Sequence, residues 1–510
     1  MDHNYIIALD QGTTSCRAII FDAKGSIVSI KQKPITQYYP HPGWVEHDAE
    51  EILRVQIEVL HDVIRTAGIR QESIRGIGIT NQRETVVLWD RETGRPVHRA
   101  IVWQCRRTAG VCEALKAQGF EPMVMAKTGL RLDAYFSATK IRWILDQVPE
   151  AASLAANGRL MAGTIDSYLI WHLSGRREHV TDSTNASRTL LYNILTGDYD
   201  PELLSLFGVP REILPRIVPS SGIVALFDET VLPGRIPIAG IAGDQHAALF
   251  GQACFSPGMV KNTYGTGCFI MMQTGSQPVY SSKGLLTTIA YDLGNGLQYA
   301  LEGSVFNAGS AIQWLRDEMG VIQTASECDR LAEQVDDTGG VHFVPAFTGL
   351  GAPYWKPDAR GMITGLTRGT GRPQLARAVL EAIAFQSLDV IECMAAEAGF
   401  PIPKLHVDGG ASVSDFLMQF QCDILGIPVD RPQNIETTAF GAAALAGLAT
   451  GVYRDIEAIR MCRESNRVFK PDMLAEEREQ RRQGWLKAVS SAIAHGGTCD
   501  GAAGREGHIV

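Results

Sequence analysis

Apolar and polar positions alternate first at Tyr5 to Leu9, a short apolar run that ends in Asp10. Gly12-Thr13-Thr14-Ser15 follows, then a second apolar run from Arg17 to Phe21, which reads as strand, tight turn, strand. Asp22 to Gly25 supplies another turn before Ser26 to Ile30, so an antiparallel meander is expected. From Asp48, with Glu51 three residues on as a capping box, Ile52, Val55, Val59, Leu60 and Val63 follow a helical period. Ile74 to Ile79 returns to strand-like alternation, with Gly76 and Gly78 inserted, and empties into Asn81-Gln82-Arg83-Glu84-Thr85. Polar groups are thus delivered at a strand end.

Lys261 to Cys268 leads through a Gly-Thr turn into the apolar Phe269 to Met272, echoing the first hairpin. This suggests two halves on one plan, 1–250 and 251–510, divided near Gly251 to Gly258 where Gly and Pro cluster. Leu405 to Val407 reads as a strand, Asp408-Gly409-Gly410-Ala411 as a turn, and Phe416 to Leu425 as an amphipathic helix capped by Ser412 with Asp415. The segment His495 to Val510 is Gly-rich and aperiodic and is expected to be a flexible tail.

Composition narrows the function classes. The 510 residues carry a net charge of −9 with no Lys/Arg block, which argues against a nucleic-acid footprint. The ten cysteines form no CxxC pair and the N-terminus lacks a signal-peptide pattern, so a reduced, cytoplasmic enzyme is expected. No apolar run reaches the roughly 18 residues of a membrane span; the longest, Ala439 to Ala449, is Ala/Gly-rich and short.

Three glycine turns, at Gly12-Thr13-Thr14, Gly265-Thr266-Gly267 and Gly409-Gly410-Ala411, each follow a strand pattern. Backbone N–H groups at such turns can cradle phosphate, although any one alone reads more simply as a hairpin or helix entry. Three in both halves point to a nucleotide cleft. There is no G-x-x-x-x-G-K-[ST], Gly76-Ile77-Gly78 lacks the third glycine of a dinucleotide fingerprint, and His98-Arg99-Ala100 is no protein-kinase catalytic loop. Asp10, at a strand tip, suits either a magnesium ion or a turn cap. Asp244, flanked by Gly243, suits either a helix N-cap or a base that accepts a hydroxyl proton. Arg83 and Glu84 read by default as a solvated turn, and Trp103 and Phe269 as core or rim aromatics.

LDQGTTSCR at Leu9 to Arg17, GITNQRET at Gly78 to Thr85, GIAGDQ at Gly240 to Gln245, NTYGTGCF at Asn262 to Phe269, FTGLGAPYW at Phe347 to Trp355 and VDGGA at Val407 to Ala411 together resemble the FGGY carbohydrate kinases. Within that family the motifs agree best with members acting on glycerol. The resemblance implies an α/β fold of two ribonuclease-H-like domains, as in actin and sugar kinases, flanking a nucleotide cleft. It implies transfer of the ATP γ-phosphoryl to glycerol, giving sn-glycerol 3-phosphate and ADP, in an enzyme that commonly forms dimers or tetramers. Carried over by motif, Arg83, Glu84, Tyr135, Asp244 and Gln245 would grip glycerol, with Trp103 and Phe269 against its carbons and Asp244 as the base. Thr13, Thr14, Ser15 and Arg17 would meet the phosphates. Thr266, Gly309, Gln313, Gly410 and Ser414 would meet the rest of the nucleotide, and Asp10 would orient Mg2+. The chain departs from the family pattern at Ala134, where proline is common, at His246, where glutamine is expected, and at Ser414, where an asparagine usually meets adenine. Two other readings share these turns: a kinase for another polyol or a ketose such as xylulose, and an actin-like or chaperone-like ATPase with no small acceptor.

Overall fold

The computed structural model describes residues 4–499. The expected meander forms: β1 (Tyr5–Gln11), β2 (Ser15–Asp22) and β3 (Ile27–Pro34) pair antiparallel in sequence. Helix α1 (Ala49–Ala67) covers them, and β4 (Ile74–Asn81) lies parallel to β1 on its other side. β5 (Ser221–Leu226) and β6 (Pro237–Gly243) complete a six-stranded sheet in the order β5-β6-β4-β1-β2-β3.

The second half repeats the plan. β7 (Val260–Tyr264), β8 (Cys268–Gly275), β9 (Leu286–Asp292), β10 (Leu297–Val305), β11 (Leu405–Asp408), β12 (Val429–Pro432) and β13 (Ser465–Phe469) form a seven-stranded sheet, ordered β9-β10-β8-β7-β11-β12-β13. In both sheets an antiparallel set is extended by two parallel strands; that set is the β1-β2-β3 meander in the first sheet and the four strands β7-β8-β10-β9 in the second, where β10 pairs with β8 and β9 takes the edge. The pattern of a mixed sheet with crossover helices is the α/β architecture that the family resemblance implies.

Two local expectations are corrected. Asp48 caps α1 by accepting the N–H groups of Glu50 and Glu51, but the Glu51 carboxylate bonds Thr36 instead of closing a capping box. The helix at Asp415–Leu425, α4 once α2 (Asp244–Gly251) and α3 (Gly309–Asp317) are counted, is capped by Ser414, whose Oγ accepts the Leu417 N–H; Ser412 instead donates to the Gly409 carbonyl. Ser412 lies inside a short 3-10 turn, one residue pair too early to reach the free N–H groups. Of the expected tail, residues 495–499 continue the last helix, Ala475–Cys499, and the rest lies outside the described residues.

The Ala/Gly-rich run becomes α5 (Thr437–Ala449), buried along nearly all its length. It lies against β1, β4, β6 and α2. Small residues are required by how closely the backbones approach: a Cβ on Gly78 would sit 2.0 Å from the Ala442 carbonyl oxygen, and one on Gly441 1.8 Å from that of Ala247. Among the described residues no helix is long and apolar enough to cross a membrane.

Candidate active site

Strand ends from the two sheets meet at one place. β4 ends at Asn81, and the chain turns sharply through Arg83, whose φ of 47° lies in the left-handed region that a non-glycine residue occupies only when its surroundings compel it. The compulsion is visible: Arg83 is 2% exposed, and a Cβ on Gly243 would lie 2.6 Å from its Cγ. Its Nε faces Asp244 Oδ1 at 3.1 Å, while Nη1 and Nη2 donate to the two carboxylate oxygens of Glu302 at 2.8 and 3.0 Å. Nη2 also donates to the Tyr135 hydroxyl at 3.2 Å.

Asp244 is the first residue of α2, directly after β6; Gly243 rather than Asp244 holds the N-cap position, and Asp244 Oδ1, which faces Arg83, also accepts the N–H of the adjacent Gln245 at 2.7 Å. Burial raises its pKa, and Arg83 opposes the rise. With 29% of its side chain accessible, it remains reachable from the cleft. The Gln245 side chain is held by Lys261 Nζ, which also donates to Thr263 Oγ1 at 2.9 Å. Burial lowers Lys261 to about 8, against the pull of Asp408 and Asp244.

Three aromatics wall the space beside Arg83. Trp103 meets Tyr135 edge-on with ring centres 5.5 Å apart, and meets Phe269 at 6.5 Å. The Arg83 guanidinium stands 5.8 Å from the Phe269 ring centre. Trp103 Nε1 donates to Thr13 Oγ1 at 2.9 Å, joining the aromatic wall to the β1–β2 turn. Arg83, Glu84, Trp103, Tyr135, Asp244, Gln245 and Phe269, far apart in the chain, therefore converge.

Because one hydrogen bond ties wall to turn, Trp103→Phe separates shape from linkage. An aromatic ring remains for the edge-on contacts and the bond to Thr13 is lost, a change of about 1 kcal/mol. We expect the KM for ATP to rise roughly fivefold in steady-state kinetics, with stability little changed.

The β1–β2 turn carries Thr13, Thr14 and Ser15, with Arg17 on β2. Arg17 Nη1 lies 3.9 Å from Asp10 and donates to Glu436 at 2.9 Å, the residue immediately before α5. Burial pushes Asp10 up to about 6, with Arg17 offsetting part of this and Glu436 and Asp244 adding to it.

On the other sheet, the Thr266 turn packs on the start of α3. The Ala308 N–H donates to the Thr266 carbonyl at 2.9 Å, and a Cβ on Gly309 would lie 2.6 Å from the Gly265 carbonyl oxygen. Gly409, with a φ of 85°, crosses the Tyr264 backbone in the same manner, which places exposed Gly410 beside this turn. Gln313 is exposed on α3. Ser414 stands apart: besides capping α4, its hydroxyl donates to Asp329 Oδ1 at 2.7 Å. His246, neutralised by burial, directs Nε2 to Thr288 Oγ1 at 3.2 Å. Ala134 is fully buried.

Sequence reasoning missed Glu302, Arg188, Lys261 and Glu436. Arg188 Nε donates to Glu84 Oε1 at 2.7 Å and its Nη2 to Glu302 Oε1 at 3.3 Å, so Glu84 is enclosed in a buried charge cluster rather than a solvated turn. A signal did exist for two of them: Lys261 and Glu302 are each the sole charged residue of a mostly buried strand, and an ionisable group there needs a partner.

A cleft between two sheets of repeated topology, with a glycine turn on each wall and a carboxylate at its floor, defines a sugar-kinase-like phosphotransferase site. Residues 5–251 match the N-terminal domain of the FGGY family of carbohydrate kinases and residues 260–450 its C-terminal domain, and the chain belongs to that family. It is 56% identical over 494 residues to the glycerol kinase of Burkholderia cenocepacia, covering 97% of this chain and 99% of that protein. It is 55% identical over 489 residues to glycerol kinase 2 of Thermotoga maritima, covering 96% and 99%. The crystal structure of Plasmodium falciparum glycerol kinase with ADP superposes with a TM-score of 0.90 at 36% identity, covering 96% of this chain and 98% of that one.

Proposed function

We propose that this chain transfers the γ-phosphoryl group of ATP to a terminal hydroxyl of glycerol, yielding sn-glycerol 3-phosphate and ADP. The observation that carries the reading is the Asp244 carboxylate, paired with Arg83 Nε at 3.1 Å beside the cluster of Trp103, Tyr135 and Phe269 rings. Asp244 orients the hydroxyl and takes its proton as oxygen bonds to phosphorus and the bond to the ADP oxygen breaks. Its raised pKa keeps it basic enough for that task. Arg83 and Glu84 bind the remaining hydroxyls, Gln245 the substrate side nearest α2, and Trp103 and Phe269 the carbon chain. The turn from Thr13 to Ser15 and Arg17 hold the phosphates. Thr266, Gly309, Gln313 and Gly410 form the nucleotide wall, with Ser414 contributing through α4 rather than through its engaged hydroxyl. In this scheme residues 1–250 bind glycerol and phosphate and 251–510 the nucleotide, with α5 returning from the second half to brace the first.

Magnesium asks for one or two carboxylates and completes its shell with water and phosphate oxygens. Asp10 fits: it is a buried carboxylate beside the phosphate turn, its charge only partly compensated by Arg17 at 3.9 Å. Bound there, Mg2+ would supply countercharge to the phosphates.

ADP release measured with and without glycerol tests the whole scheme. We expect ATP consumption to depend on glycerol, and a ketose such as xylulose to be turned over at least roughly a hundredfold less efficiently, because in this scheme the Trp103 and Phe269 rings, 6.5 Å apart, stand against the acceptor's carbons. ATP consumption indifferent to glycerol, or xylulose turned over equally well, would reject the reading.

A further inference from the structure

Arg83 has five guanidinium hydrogens, and two of them, one on each Nη, are directed at a residue from the other sheet. Glu302 lies in β10, fully buried, one strand over from Phe269. Its two oxygens meet Nη1 and Nη2 of Arg83 in a fork at 2.8 and 3.0 Å, leaving Nε alone to face Asp244. A fork fixes the plane of a guanidinium, which a single bond does not.

We propose that Glu302 is a positioning residue for the acceptor site: by clamping the fork of Arg83 from the nucleotide-side sheet, it sets the direction in which Arg83 presents Nε to Asp244 and its remaining donor to the polyol. The proposal rests on the glycerol reading above and deepens it. Arg188 belongs to the same device, since it spans Glu84 and Glu302 at 2.7 and 3.3 Å and keeps both carboxylates in place. Burial alone would raise the Glu302 carboxyl, yet Arg188 and Arg83 hold it down to about 2, so the clamp is ionic throughout the physiological range. The polyol pocket is consequently completed only when β10 of one sheet and the β4 end of the other are in register. Glu302 is fully buried with both oxygens on Arg83, so its effect on the acceptor runs through that side chain.

Glu302→Gln is the direct test, because it keeps the shape and one acceptor while turning an amide N–H2 toward a guanidinium donor. Loosening a positioned group by about 1 Å costs roughly a hundredfold in rate. We expect the KM for glycerol to rise roughly tenfold and kcat to fall by a similar factor, with the KM for ATP and the affinity for ADP within about twofold of wild type. Glu302→Asp, which keeps the charge but is one methylene short of the fork, should recover part of the glycerol KM. It also reads the same quantities if the amide variant yields no folded protein, since it leaves the two arginines compensated. Arg83→Lys should cost much less in the Glu302→Gln background than alone, as groups acting as a unit do. A purely structural Glu302 predicts lower thermal stability with a wild-type glycerol KM in the folded fraction, and additive effects with Arg83→Lys; either result overturns the proposal. A wild-type protein with no glycerol-dependent ATP consumption would instead remove the functional reading itself, so the two failures are distinguishable.

Discussion

Asp244→Asn is expected to lower glycerol phosphorylation roughly 100- to 10,000-fold, the range over which a positioned general base acts. The amide is isosteric, and its oxygen can still accept the Gln245 N–H that the carboxylate accepts at 2.7 Å. It cannot take a proton from an alcohol, and although the same oxygen still faces Arg83 Nε, the neutral amide loses the charge pairing that the carboxylate makes there. The proposed nucleotide wall, the Thr266 turn, α3 and the Gly409 turn, lies on the other sheet from Asp244. ADP affinity by calorimetry should therefore stay within about twofold of wild type while kcat collapses. Turnover retained at the wild-type level would remove Asp244 from the role of base.

Gly441→Val is the second large effect, and it acts through packing. A Cβ at this position would lie 1.8 Å from the Ala247 carbonyl oxygen and 3.0 Å from the Gly251 nitrogen, both backbone atoms of α2 that no rotamer change can move. Overpacking of this kind costs about 3 kcal/mol or more. Because α2 begins with Asp244, the strain is delivered to the candidate base as well as to the fold. We expect a thermal midpoint lowered by several degrees or a loss of soluble protein, and, in any folded fraction, a kcat well below wild type. Gly222→Ala is the matched control: a Cβ there meets nothing within 4 Å, and that variant should be close to neutral. Equal behaviour of the two variants would show that the α2–α5 contact does not limit stability.

The glycine turns, the first meander, α1 and the strand ending at Asn81 were legible because each is a local pattern, in which period and turn chemistry act within a few residues. The recurrence of the hairpin around Gly265 likewise announced the repeated topology. Caps were read less well. Ser412 and Ser414 are both plausible N-caps by composition, and the choice depends on where a 3-10 turn ends.

The site residues Arg83, Glu84, Trp103, Asp244 and Phe269 were named from motifs, but the default reading of Arg83-Glu84 as a solvated turn was physically reasonable and mistaken in burial: both are at most 2% exposed. Nothing local distinguishes a solvated charge pair from one enclosed by Arg188 and Glu302, which lie 104 and 219 residues away in the chain along their respective bonds. The same holds for Glu436, joined to Arg17 across 419 residues.

Short-range chemistry along the chain was sufficient to specify the turns, the strand and helix periods and the candidate base. The partners that neutralise the buried charges, the aromatic enclosure beside Arg83 and the glycine-mediated seating of α5 arise only when two sheets are brought face to face. Coulombic pairing and backbone close approach are functions of distance in space, and no separation along a sequence encodes that distance.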